Sequence, residues 1–212
     1  MKGMTEHSHT HDYLPAAGRD AYLPFYDLLT KALGAGKIHR KLIDQARPQP
    51  GQRVLEIGCG TGNLTVRMAR ARPGVEVIGT DPDPLALARA EKKGSAARFE
   101  RAYAQELPYP DASFDRVLSA LMLHHLDEDT KAATLAEVAR VLRPGGTFHL
   151  ADFTGEIHGM HGLLARRMQK QGHIADGIPD LLSAAGLKDA EVSVEQTRIM
   201  GGVAYYRATR PE

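Results

Sequence analysis

The chain has 212 residues, a single cysteine and nearly balanced charge, 27 Lys and Arg against 26 Asp and Glu, so it can bury a core of ordinary size without disulfide staples. Its composition is globular, no stretch approaches the ~20 apolar residues that cross a bilayer, and the opening MKGMTEHSHTHDYLP has no apolar signal region. These features argue against membrane insertion and a disulfide-framed secreted scaffold; with charges alternating in sign along the chain, they predict a cytoplasmic protein with a solvated surface and no nucleic-acid partner.

Residues 1–14 read as a polar, disordered tail, and the alternate His7, His9 and His11 are not expected to form a metal site. The remainder, 15–212, reads as one domain: a helical cover over 15–50 and an α/β core over 51–212. Within the cover, Leu28, Leu29, Ala32 and Leu33, then Ile38, Leu42, Ile43 and Ala46, recur at helical spacing. They predict two helices broken at Gly34-Ala35-Gly36.

After Pro48 and Pro50-Gly51 the pattern changes to short apolar runs alternating with helical stretches, as in βαβ units. Strands are predicted over 53–57, 75–80, 97–102, 114–119 and 146–151, with helices over 64–71, 84–93 and 130–142, the last stopped by Pro144-Gly145-Gly146. A helix over 179–185 ends at Gly186, and strands over 191–196 and 204–209 are close enough to pair antiparallel.

The most informative segment is Val54-Leu55-Glu56-Ile57-Gly58-Cys59-Gly60-Thr61-Gly62-Asn63-Leu64, an apolar strand running into three alternating glycines and a helix. Such a junction lets a ligand approach the backbone, and the helix N-terminus offers free amides to an anionic group. A nicotinamide fingerprint needs a third glycine where Asn63 stands, which counts against a dehydrogenase. The next strand ends at Thr80-Asp81-Pro82, placing Asp81 beside the glycine loop as an acceptor for ribose hydroxyls or as a cap for the helix starting near Pro84.

Glu56 followed by Gly58, Gly60 and Gly62 resembles motif I of the class I S-adenosylmethionine-dependent methyltransferases. Tyr103-Ala104-Gln105-Glu106-Leu107-Pro108-Tyr109, Pro110-Asp111-Ala112-Ser113-Phe114-Asp115 and Leu142-Arg143-Pro144-Gly145-Gly146 match further motifs of that family. The nearest likeness is to its ubiquinone- and menaquinone-biosynthesis-like small-molecule group. The resemblance implies a Rossmann-like, doubly wound seven-stranded sheet with the last strand antiparallel. It further implies S-adenosylmethionine as cofactor, S-adenosylhomocysteine as product and a small-molecule acceptor.

The cofactor residues it implies are Glu56, Gly58, Cys59, Gly60, Thr61, Gly62, Asp81, Pro82, Ala104, Gln105 and Ala120, with Tyr26 from the cover closing the pocket. Tyr103 stands where the family commonly has Asp. The methyl group would face the loop after the fourth strand, where His124 and His125 are candidate bases, joined by Asp152 at the end of the fifth strand. A binding module without catalysis is the alternative from another class. The acceptor and the oligomeric state are not legible.

Overall fold

A computed structural model describes residues 35–154, 177–197 and 201–212. The tail, the first cover helix, Tyr22, Tyr26 and the histidines at 158, 161 and 173 lie outside them. The described chain runs α1 (Ala35–Ala46), β1 (Arg53–Ile57), α2 (Asn63–Ala71), β2 (Glu76–Asp81), α3 (Pro84–Glu91), β3 (Arg98–Arg101) and β4 (Phe114–Ala120). A 3-10 turn (Leu123–His125) follows, then α4 (Glu128–Val141), β5 (Leu142–Thr154), α5 (Ile178–Ala184), β6 (Lys188–Thr197) and β7 (Gly201–Thr209).

The seven strands form one sheet in the order β3-β2-β1-β4-β5-β7-β6. β1 to β5 are parallel, whereas β7 runs antiparallel to both β5 and β6. The order reverses between β1 and β4, and at such a switch point the connections leave to opposite faces and open a crevice at the carboxyl edge.

Period-two alternation sends neighbouring residues to opposite cores. Leu55, Ile57, Val117, Phe148 and Leu150 pack with Leu135, Val138 and Leu182 of α4 and α5. Val54, Val77, Leu118 and Tyr205 pack with Ile38 and Leu42 of α1 and Leu64 and Met68 of α2. Local signals fix the ends: Asp127 Oδ1 accepts the Thr130 amide at 2.8 Å and caps α4, and Asp83 Oδ1 accepts the Leu85 amide at 2.8 Å and caps α3, with Pro84 in its first turn.

The main departure from the sequence reading is β5. It starts at Leu142, passes through Pro144-Gly145-Gly146 and ends at Thr154, so the predicted stop lies inside the strand. Between the pairs Phe114–Leu142 and Arg116–Thr147 β4 advances two residues and β5 five, so the proline and glycines bulge out of β5 itself, and Gly145, at φ 73°, donates its N–H to the Arg210 carbonyl at 2.9 Å.

Candidate active site at the carboxyl edge of the sheet

Three loops, those after β1, β3 and β4, meet beside the end of β2. The first is the glycine loop, where Gly58 and Gly62 adopt φ of 65° and 75°, a region open to glycine at no steric cost. Both are also crowded: a Cβ on Gly58 would lie 2.2 Å from Met122 Cγ, and one on Gly62 would lie 2.6 Å from Ala90 Cβ. Gly62 occupies the N-cap position of α2 and supplies no side-chain cap, so the helix opens with amides that an anionic group can take.

Asp81 ties this loop to β2. Its Oδ2 accepts the Gly60 amide at 2.7 Å and its Oδ1 accepts the Asp83 amide at 3.0 Å. Because Asp83 caps α3, Asp81 is spared that task, and a carboxylate has lone pairs left for hydroxyl donors. Burial is the first cause that raises its pKa, and the two amides oppose the rise.

Behind the loop lies Glu56, 4% exposed. Its Oε2 accepts a short hydrogen bond from Thr65 Oγ1. Burial pushes this carboxyl up to about 8, and the nearby Asp81 adds to the shift against the bonds from Thr65. The same burial, with Glu56 and Asp81 alongside, raises the Cys59 thiol, so Cys59 fills space and is no nucleophile.

The second loop, after β3, carries Ala104 and Gln105 in a turn closed by a bridge between Tyr103 and Glu106. Arg140 of α4 anchors it, donating to the carbonyls of Leu107 at 3.1 Å and Tyr109 at 2.7 Å. Ala104 is half-buried and Gln105 exposed, while Pro82 accepts from Arg101 Nε at 3.1 Å.

The third loop begins at Ala120, the last residue of β4. Leu121 has φ 55°, a left-handed conformation that costs a side-chain-bearing residue about 1–2 kcal/mol. Its amide donates to the Ala151 carbonyl at 2.8 Å, and the bend lays Met122 against Gly58. Sequence alone did not single out Leu121, Met122 or Thr65, since backbone angles and cross-element contacts leave no local signal.

The two histidines part company here. His124, 6% exposed, places Nδ1 2.7 Å from Asp152 Oδ1, and its backbone amide donates to Asp152 Oδ2 at 3.1 Å. Asp152 is 1% exposed and also accepts the Phe153 amide at 2.8 Å. It lies within β5, not at its end, and stands behind His124. His125 is exposed and stacks on His124 with ring centroids 3.9 Å apart.

The donor set therefore fits an adenosyl cofactor bearing vicinal hydroxyls and a carboxylate. The amides of the α2 terminus suit the carboxylate, and Asp81 suits the hydroxyls. Among the described residues no group of histidine, cysteine and acidic side chains could hold a metal, and no helix is long and apolar enough to cross a membrane.

Comparison with known proteins agrees with this chemistry. Residues 54–146 match the family described as a methyltransferase domain. The demethylmenaquinone methyltransferases of Thermus thermophilus and Deinococcus radiodurans are each 38% identical over 150 residues, which cover 68% of this chain and 67% and 61% of theirs. The chain thus spans about two thirds of their length or less. A phosphoethanolamine N-methyltransferase of Haemonchus contortus, solved with S-adenosylhomocysteine, superposes with a TM-score of 0.77 at 18% identity, over 93% of this chain and 58% of that one. That last likeness shows the fold alone. Motif, topology and the Thermus relative together place this chain among the class I S-adenosylmethionine-dependent methyltransferases of the quinone-biosynthesis type.

Proposed function

We propose that the chain methylates a small acceptor of the quinol class, one that gives up a proton as it is methylated, with His124 as the base. The observation that carries this is the 2.7 Å contact between Asp152 and His124 Nδ1. A buried carboxylate there is an acceptor, so it keeps the proton on Nδ1 and leaves Nε2 with its lone pair. Nε2 has no partner among the described residues.

When bound, S-adenosylmethionine supplies an electrophilic methyl group on a positive sulfur. Asp81 would accept the ribose hydroxyls, the opening turn of α2 and the glycine loop would receive the carboxylate, and the loop of Ala104 and Gln105 would flank the adenine. Methyl transfer asks the protein chiefly to hold two partners in line, and a base is useful only where the acceptor has a proton to lose. His124 Nε2 takes that proton, and Asp152 stabilises the imidazolium that results. Met122 and Leu121 fix the distance of this base from the glycine loop. The names of the Thermus and Deinococcus relatives point to a quinone-type acceptor.

The test is transfer of labelled methyl from S-adenosylmethionine to a short-chain demethylmenaquinol by the wild type and by His124→Ala. Label in the quinol with the wild type, and a large loss of kcat in the variant at unchanged cofactor affinity, are expected. Equal turnover by the two proteins would remove His124 as base.

A further inference from the structure

The fold gathers charge that looks evenly mixed along the chain. α1, α2 and α3 with its cap Asp83, together with residue 72 after α2 and residues 92 and 93 after α3, carry nine Lys and Arg against three acids, Asp44, Asp83 and Glu91, in a chain whose net charge is +1. The opposite layer, α4 with its cap Asp127 and α5, carries five acids against two bases.

The basic helices form one continuous surface. A Cβ on Gly36 of α1 would lie 3.5 Å from the Arg67 guanidinium of α2. Arg70 Nη2 donates to the carbonyls of Lys93 and Gly94 at 3.0 and 3.3 Å, joining α2 to the end of α3. Lys37, Arg40, Arg67 and Lys92 are exposed, and none forms an ion pair among the described residues. Self-repulsion of this kind disfavours the compact state, and a polyanionic partner relieves it.

We propose that this layer docks on an anionic lipid bilayer, which brings the carboxyl edge to an acceptor dissolved there. The location of the acceptor rests on the quinol reading above, whereas the docking rests on charge alone. Two observations favour lipid over nucleic acid. The three helices contain no Phe, Tyr or Trp on which a base could stack. At the rim toward the site, Leu85 in the first turn of α3 is 50% exposed, an apolar side chain suited to the headgroup boundary.

The test is co-sedimentation of the full chain with phosphatidylcholine vesicles, with and without phosphatidylglycerol, at about 0.1 M salt. Sedimentation with the anionic vesicles only, reversed by high salt, is expected. Lys37→Gln, Arg40→Gln, Arg67→Gln and Lys92→Gln combined should weaken partitioning on the order of a thousandfold. That variant should still bind S-adenosylhomocysteine as the wild type does. If it does not fold, the wild-type salt dependence decides.

Indifference to lipid charge, or a variant that sediments like the wild type, would overturn the proposal. So would an RNA oligomer that strips the protein from vesicles at equal charge concentration. A chain that methylates a soluble quinol but ignores both vesicles keeps its function and loses only the docking.

Discussion

Replacing Glu56 with glutamine tests the electrostatics of the site. Glu56 is buried, and burial moves its carboxyl from an ordinary 4.5 to about 8. Between those values the folded protein holds a proton that the unfolded chain has released, so stability falls as pH rises through the window. Other buried groups act in the opposite sense. His39 and His149 are held neutral, chiefly by burial, down to about 4 and about 3, while unfolded imidazoles are still half charged at the ordinary 6.5, so stability gained from them continues to rise to about pH 7.5.

From pH 6.5 to 8 Glu56 by itself costs up to about 1.4 kcal/mol per pH unit, or roughly 1–2 kcal/mol in all, and the histidine contribution is common to wild type and variant. In Glu56→Gln the amide oxygen can still accept from Thr65 Oγ1, but the side chain cannot ionise. Urea unfolding of cofactor-free protein at the two pH values should show the wild type falling behind the variant by that amount as pH rises. Parallel changes in both proteins would mean that the carboxyl is ionised throughout and the reasoning is wrong.

The other predictions concern binding and turnover. His124→Ala should lower kcat by about 10²–10⁴-fold with S-adenosylhomocysteine affinity unchanged by calorimetry. Asp152→Asn, which removes the partner that sets the imidazole tautomer, should cost about 10–100-fold and reshape the pH–rate profile, since a neutral amide no longer stabilises the charged ring. Asp81→Asn should weaken S-adenosylhomocysteine by about 1–3 kcal/mol, because one oxygen that anchors the Gly60 amide or a ribose hydroxyl becomes a donor. Gly58→Ala should destabilise the fold by roughly 1–3 kcal/mol through its clash with Met122, and Met122→Ala should restore part of that loss in a double-mutant cycle. Full additivity of the pair would show that the two side chains do not meet.

The first half of the site was legible because its signals are local. The strand, three glycines and helix that end with Asn63 are contiguous, and Asp81 follows an apolar run whose register the sheet preserves. What lay hidden depends on pairs distant in sequence. Two adjacent histidines look equivalent until β5 brings Asp152 to one of them, 28 residues on. Asp81 could serve as ribose acceptor or as helix cap, and only the turn geometry gives the Leu85 amide, and with it the cap, to Asp83. The proline and glycines at 144–146 read as a break, yet the strand carries them as a bulge between Leu142 and Thr147, and only the pairing with β4 across the sheet fixes that register. Charge misled in the same way: signs that alternate along the chain are sorted by the fold into a basic helical layer and an acidic one.

The most direct measurement is calorimetric titration of the purified chain with S-adenosylhomocysteine, using NADH as the control ligand. Binding of S-adenosylhomocysteine with a Kd between about 1 μM and 1 mM, and none of NADH, is the predicted result. Heat from NADH alone, or from neither ligand, would contradict the assignment of the glycine loop and Asp81 to an adenosyl sulfonium cofactor.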